Sequence, residues 1–263
     1  MRSLYEEIVS LENSGKAGAV CSIIKSSGST PRHEGSKMIY YADGKTLGSV
    51  GGGEVESRVI EEAKKAIEDG KIHLLHYNMV DPARGDPGIC GGQLDIYIEP
   101  VWPKPTLLVI GGGHVGKALA YLGKWLGYRI VISDDRVEYC SKEYHPDGDI
   151  FLPVEMADIP EHMDIDRFTY VVLTTRGSDV DVEGLPSLLK CSPAYLGVIG
   201  SKRRWIMTRK KLIEKGISEE QLNQIHSPIG LELKAETPEE IAVSIMAEIT
   251  LLRNGGSGKH MKV

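Results

Sequence analysis

No stretch of this chain is apolar for long enough to cross a bilayer. The longest such runs, Leu107–Ile110 and Tyr170–Leu173, fall far short of the roughly 20 residues a membrane helix needs. The N-terminal stretch MRSLYEEIVSLENSG has neither an apolar signal region nor a cleavage site. It reads as a helix, with Ser3 and Glu6 as a capping box and Leu4, Ile8 and Leu11 as the buried stripe. Cysteine is scarce: Cys21, Cys90, Cys140 and Cys191 are widely scattered with no CxxC pair, which argues against a disulfide framework or a zinc ribbon. His33, His73, His76, His145, His162, His226 and His260 show no metal-ligand spacing. An excess of basic residues is missing too. The net charge of −6 over 263 residues argues against a general nucleic-acid binder. The expectation is a cytoplasmic protein with neither a membrane nor a nucleic acid as partner.

What is present points to an α/β protein: a smaller mixed α/β N-terminal domain, then a Rossmann-like doubly wound domain. The length suits two domains of about 100–150 residues each. Between them, Glu99-Pro100-Val101-Trp102-Pro103-Lys104-Pro105 carries three prolines, which remove backbone donors and favour an extended linker. The expected boundaries are 1–99, a linker over 100–105, a nucleotide-binding domain over 106–252 and a disordered tail over 253–263. In the first part, Ala19–Ile24 predicts a strand, and Lys37–Tyr41 with Thr46–Val50 predict a hairpin around Asp43-Gly44. Glu54–Glu68 predicts a helix stopped by Gly70, and Ile72–Tyr77 and Leu94–Ile98 predict later strands. In the second part the strands are Leu107–Ile110, Arg129–Ser133, Tyr170–Thr174 and Tyr195–Ile199. Helices are predicted over Val115–Leu126 and Ser201–Lys215, with a last one opening at Thr237-Pro238-Glu239-Glu240 as N-cap, N1 proline and N3 glutamate.

Gly111-Gly112-Gly113-His114-Val115-Gly116 is GxGxxG placed directly after a buried strand and opening a helix, the context that gives this pattern meaning. The first glycine permits a tight turn, the second lets a pyrophosphate approach the backbone, and the third brings helix and strand together. The helix N-terminus supplies unpaired N–H groups to an anion. About 20 residues on, Asp134-Asp135-Arg136 ends the second strand, where a carboxylate can take ribose hydroxyls and disfavour a 2′-phosphate. NAD, or another dinucleotide, is therefore preferred to NADP. His114 could contact phosphate or substrate, or merely cap the turn. Gly200-Ser201-Lys202-Arg203-Arg204 offers a second anion site at a helix start, or else a solvated basic face.

Three further glycine-rich segments lie in the first part: Gly28-Ser29-Thr30-Pro31-Arg32, Gly51-Gly52-Gly53-Glu54-Val55-Glu56, and Cys90-Gly91-Gly92. Glycine permits close approach of backbone to a ligand, and Gly51–Gly53 lead into a helix that could receive an anion. By spacing alone, all three could equally be tight turns.

Taken in order, GSTPR, SKM at Ser36–Met38, GGGEVESRVIEEA, CGG, VIGGGHVGKALA, SDDR, GVIGSKRR and SPIGLELKAETPEEIAVSIMAEI resemble the XdhC/CoxI family of accessory proteins for molybdenum hydroxylases. The resemblance runs from about Ala17 to Ile249. One departure is Ser178, which stands where the family's TRGHxxD pattern has a histidine. The resemblance implies a chaperone that binds the molybdenum cofactor, protects it during sulfuration and delivers it to a xanthine dehydrogenase-type apo-enzyme, with a sulfur-donating desulfurase as a second partner and homo-oligomers as an option. Cys90 is then the candidate sulfur relay or molybdenum ligand, since a thiolate can carry sulfur or ligate a soft metal; a small buried cysteine beside a turn is the plainer reading. An NAD-dependent oxidoreductase is the rival, and a ligand sensor a third possibility. The oxidoreductase needs a general acid or base, for which His114, Glu54 and Glu56 are isolated candidates.

Overall fold

The computed structural model describes residues 3–13, 16–79 and 92–261. The chain divides into two compact units, Met1–Lys104 and Pro105–Val263. Among the described residues no helix is long and apolar enough to cross a membrane.

The first unit is built on an antiparallel sheet. Helix α1 (Leu4–Asn13) opens with the Ser3–Glu6 capping box formed in both directions. Strands β1 (Gly18–Ser27), β2 (Lys37–Tyr41) and β3 (Thr46–Gly48) form a meander, and helix α2 (Gly53–Asp69) leads to β4 (His73–Asn78) and β5 (Gln93–Val101). The order across the sheet is β3-β2-β1-β5-β4. At the β2–β3 turn, Asp43 accepts the Lys45 amide and Gly44 takes a φ of 89°, the geometry that Asp-Gly favours. Val55, Val59, Ala63 and Ile67 recur at helical spacing along α2 and are all buried.

Expected as a linker, Glu99, Pro100 and Val101 are instead the end of β5, paired with Val20, Ala19 and Gly18 of β1. The ladder between β4 and β5 ends at His73↔Ile98. Pro100 therefore sits where β5 has a neighbour on one side only, and its missing N–H costs no ladder bond. Trp102 then folds back on α2, where its indole Nε1 donates to Ile67 O at 3.2 Å.

The second unit holds five parallel strands in the order β10-β9-β6-β7-β8. In chain order they are β6 (Thr106–Ile110), helix α3 (His114–Trp125), β7 (Arg129–Ser133), β8 (Ile150–Leu152), α4 (Ile159–His162), β9 (Thr169–Leu173), α5 (Ser178–Leu188), β10 (Tyr195–Val198), α6 (Lys202–Glu214), α7 (Glu219–Leu222) and α8 (Pro238–Asn254). Continuous apolar strands signal burial on both faces, and β6 divides accordingly. Leu107 and Val109 pack with Leu119 of α3 and Ile245 and Ile249 of α8; Leu108 and Ile110 pack with Leu185 of α5 and Leu212 of α6. Thr237 and Glu240 close the expected capping box on α8. That helix continues to Asn254, so Arg253 and Asn254, expected in the tail, belong to it.

Gly70 ends α2 in the left-handed conformation, with φ 70°, and a Cβ there would strike the Trp102 ring. Gly70→Ala is expected to destabilise the first unit by about 1–3 kcal/mol through backbone strain and overpacking. Urea unfolding of both proteins reads this as a lower midpoint.

Candidate functional site

Strand order reverses around β6, which has β7 on one side and β9 on the other. In such sheets ligands bind outside the carboxyl ends of the strands at this switch point. The fingerprint turn leaves β6 there. Gly111 has φ 106°, and a Cβ on it would meet the Thr174 carbonyl. The Thr174 hydroxyl donates to Gly111 O at 2.6 Å, tying the turn to the end of β9. A Cβ on Gly116 would overlap the Gly111 carbonyl, so only glycine lets α3 lie this close to the strand. Gly113, by contrast, faces open space: no atom lies within 4 Å of the position its Cβ would take. It is the N-cap of α3, and no side chain caps that end. The first amides of α3, on His114, Val115 and Gly116, have no intrahelical acceptor, and His114 is exposed beside them.

The end of β7 differs from expectation. The Asp134 carboxylate is turned inward and does not face a ribose. Its side chain is 3% exposed. It accepts from Gly112 N at 2.8 Å, Arg136 N at 3.0 Å, and Arg136 Nε and Nη2 at 2.9 Å. Burial pushes its pKa up, yet the hydrogen bonds from Arg136 and Gly112 outweigh burial and hold it below the usual carboxylate range. Four donors leave it little capacity for a ligand. Asp135 is the more exposed carboxylate of the pair, and Arg176, from the end of β9, binds it bidentately at 3.0 and 2.7 Å. Arg136 also lies over the Tyr139 ring at 4.0 Å. Asp134, Asp135, Arg136 and Arg176 line a crevice open to solvent, together with Glu155 and Ser133. The Ser133 hydroxyl is buried and has no hydrogen-bond partner among the described residues.

Two groups that the sequence does not flag hold this site. His145 is buried, and its Nε2–H donates to Gly112 O at 3.0 Å. It arrives on the loop between β7 and β8, where a doubly wound fold more often has a full helix. Asp181 is fully buried in α5; it accepts from Arg204 Nη2 at 2.6 Å and from the Thr175 hydroxyl. The signal for Asp181 was its place as the acid of the TRGHxxD-like segment; His145 has no sequence signal. Arg204, singled out beside Arg203 for an anion, is thus a half-buried structural cation paired with a buried carboxylate. Removing Arg204 would leave the buried Asp181 carboxylate without its cation, which is destabilising. Ser201 caps α6 by accepting the Arg204 amide at 3.2 Å, and Gly200, with φ 149°, packs under the Arg204 side chain. Arg203 points away, exposed. Ser178 is the first residue of α5.

In the first unit the glycine segments meet. Gly51 packs on Pro31, and a Cβ on Gly92 would strike Ser29 O. Gly51, Gly52 and Gly53 all have positive φ, at 142°, 76° and 58°. Glu56, a candidate acid–base group, is engaged by this loop: it accepts from the Ser49 hydroxyl at 2.6 Å and from Val50 N at 3.2 Å. Burial opposes its ionisation, but these bonds and the amides of Gly51 and Gly52 keep its pKa low. Glu54 pairs with Arg58 one turn along α2. Cys90 and Gly91 lie outside the described residues. Among the described residues, no group of three or more His, Cys, Asp or Glu is placed to hold a metal ion.

Burial lowers the pKa of His145, against the pull of the Gly112 and Tyr139 carbonyls. An unfolded imidazole takes a proton near pH 6.5, the folded one only at lower pH. Stability is therefore complete above about pH 6.5 and is lost as the pH falls below it. Chemical unfolding at pH 7.5 and 5.5 is expected to show a drop for the wild type that is smaller in His145→Asn.

The family model for the XdhC Rossmann domain matches residues 107–249, and that for the XdhC and CoxI family matches residues 11–78. The uncharacterized protein YqeB of Escherichia coli is 35% identical over 97% of this chain, which spans 47% of that protein. A probable xanthine dehydrogenase subunit of Bacillus subtilis is 26% identical over 96% of this chain and 66% of its own length. The molybdenum cofactor insertion chaperone PaoD of Escherichia coli is 24% identical, over 96% of this chain and 88% of its own. The chain thus spans about half to two thirds of the first two relatives. A solved structure from Bacillus halodurans, described as a xanthine dehydrogenase, shares the fold with a TM-score of 0.52 at 22% identity, covering 100% of this chain and 98% of that one. With the Rossmann turn, the glycine loops and both family models in agreement, the chain belongs to the XdhC/CoxI family.

Proposed function

We propose that this chain is an accessory protein that binds the molybdenum cofactor and supports its sulfuration and insertion into a xanthine dehydrogenase-type hydroxylase. The observation that carries the reading is the uncapped, open start of α3 at Gly113, set at the switch point of a family Rossmann domain. The free amides there fit a pyrophosphate, which suits a dinucleotide form of the cofactor. Gly113, His114, Val115 and Gly116 would hold that anion. Ribose recognition passes from Asp134 to Asp135, with Arg136 and Arg176 beside it. The preference for NAD over NADP, first drawn from Asp134, then rests on Asp135, though two guanidinium groups in the same crevice weaken it. Gly51–Gly53 at the start of α2 are a second proposed contact. The group bound would supply a molybdenum centre at this site. Cys90 is proposed as its thiolate ligand or as a carrier of sulfur from a desulfurase.

For an NAD-dependent oxidoreductase the acid–base candidates are poorly available: Glu54 and Glu56 are engaged within their own unit, which leaves His114. The chaperone reading is preferred for that reason and for the name that PaoD carries.

Since a Cβ at Gly113 meets nothing in the protein, Gly113→Val should fold like the wild type yet lose the dinucleotide. Native mass spectrometry of ligand copurified from a host that makes molybdenum cofactor, with calorimetry against NAD, checks this; equal binding by the folded variant would remove the turn from the site.

Cys90→Ser should fold and still bind whatever plain adenine dinucleotide the wild type binds, because serine is un-ionised where a thiol of pKa about 8.5 can be activated. It is expected to retain little molybdenum and to fail in activating an apo-hydroxylase. Metal content and reconstituted hydroxylase activity measure this, and full activation by the variant would exclude the thiol role.

A further inference from the structure

Helix α6 carries two kinds of cation. Arg204 is paired with Asp181, Arg209 with Glu219 at 2.6 Å, and Lys211 with Asp179 at 2.7 Å. Lys202, Arg203 and Lys210 have no hydrogen bond or ion pair with any described residue. At 3.6 residues per turn, those three share an arc of roughly 140° with Ile206, Met207, Ile213 and Glu214. The apolar members are not tucked under the charges: Ile206 is 67%, Met207 52% and Ile213 42% exposed. Three cations and one carboxylate leave this face at +2, on a chain whose net charge is −6. The opposite face of the helix is committed to the core through Thr208 and Leu212.

The helix that carries this face, though not the face itself, is tied to the candidate site. Arg204, on the first turn of α6, donates to the Thr175 carbonyl and hydroxyl at 3.3 and 2.9 Å. Thr175 and its neighbour Arg176 line the switch-point crevice. A macromolecule seated on α6 would therefore stand beside the mouth of the crevice.

We infer that the outer face of α6 is the docking surface for the protein that receives the cofactor, and that this partner presents an acidic surface with an apolar centre. The inference rests on the proposed chaperone function. Apolar side chains ringed by unpaired charge suit a protein interface with an apolar centre and a steering rim, and methionine adapts to a partner's shape. A helix that lies on a bilayer segregates its cations from a broad apolar face. Here Ile206 and Ile213 fall between Lys202 and Lys210 on the same arc, so a protein is favoured over a membrane.

The test uses the full chain and the apo-form of the source organism's xanthine dehydrogenase-type hydroxylase, purified without cofactor. Binding is measured by calorimetry at two salt concentrations for the wild type, for Lys202→Glu/Arg203→Glu/Lys210→Glu and for Ile206→Asp. The wild type should bind, more weakly at high salt. Charge reversal should weaken binding about tenfold or more and flatten its salt dependence, and Ile206→Asp should weaken it with the salt dependence retained. All of these residues lie on the solvent side of α6, so both variants should keep the wild-type melting temperature, and Ile206→Asp should keep the wild-type affinity of the crevice for NAD. Wild-type binding that neither variant weakens would overturn the docking surface and leave the chaperone reading standing. Failure of the wild type to bind the apo-enzyme would overturn both. Binding to vesicles of phosphatidylserine and phosphatidylcholine that charge reversal abolishes, with no effect on the apo-enzyme, would reassign the face to a membrane.

Discussion

The carboxylate of Asp134 sits at the meeting point of β6, β7 and the fingerprint turn, and it takes one amide from Gly112 and three donors from Arg136. A buried carboxylate is tolerated only when its acceptor sites are filled, and here the fingerprint turn itself does part of the filling. The turn is thereby pinned from one side by Asp134 and from the other by Thr174, while His145 holds the Gly112 carbonyl. With the first half of GxGxxG fastened in this way, the second half, from Gly113 onward, is left free to meet an anion. The pinning also determines which carboxylate faces the crevice: Asp134 is used up by the fold, and Asp135 is presented.

A second ion pair with a buried carboxylate organises the other wall. Asp181, Thr175 and Arg204 join the start of α5, the end of β9 and the first turn of α6 into one network. The loop after β9 is where Arg176 reaches across to Asp135, so the position of that strap depends on the Asp181–Arg204 pair one helix away. The same network anchors the first turn of α6, while Lys202, Arg203 and Lys210 on its outer side have no partner among the described residues.

The parts of this structure legible in the sequence are those governed by local rules. The apolar strands, the amphipathic helix ending at Gly70 and the capping box at Thr237 follow from periodicity and terminus chemistry, and Gly111 and Gly116 of the fingerprint have the geometry their positions demand. What escaped were choices made by tertiary contacts. Adjacent aspartates are indistinguishable until one is buried, and Arg203 and Arg204 look alike until Asp181 claims one of them. Helix α5 was hidden by Gly184 and Pro186 within eleven residues, a composition that reads as loop. Pro100 reads as a linker residue because nothing local reveals that β4 ends at its register with Ile98.

The pairing of β1 with β5 has a consequence for how the chain comes off the ribosome. Gly18 is matched with Val101 and Ser27 with Gln93, so the central ladder of the first unit joins residues far apart in the chain. Such long-range pairing must close a large loop before it gains any bonds, and it slows folding. The N-terminal unit, though made first, cannot complete its sheet until Val101 has emerged. Until then β1 and β2 carry their apolar faces with β5 absent, a window in which a nascent chain is open to aggregation and to chaperone capture.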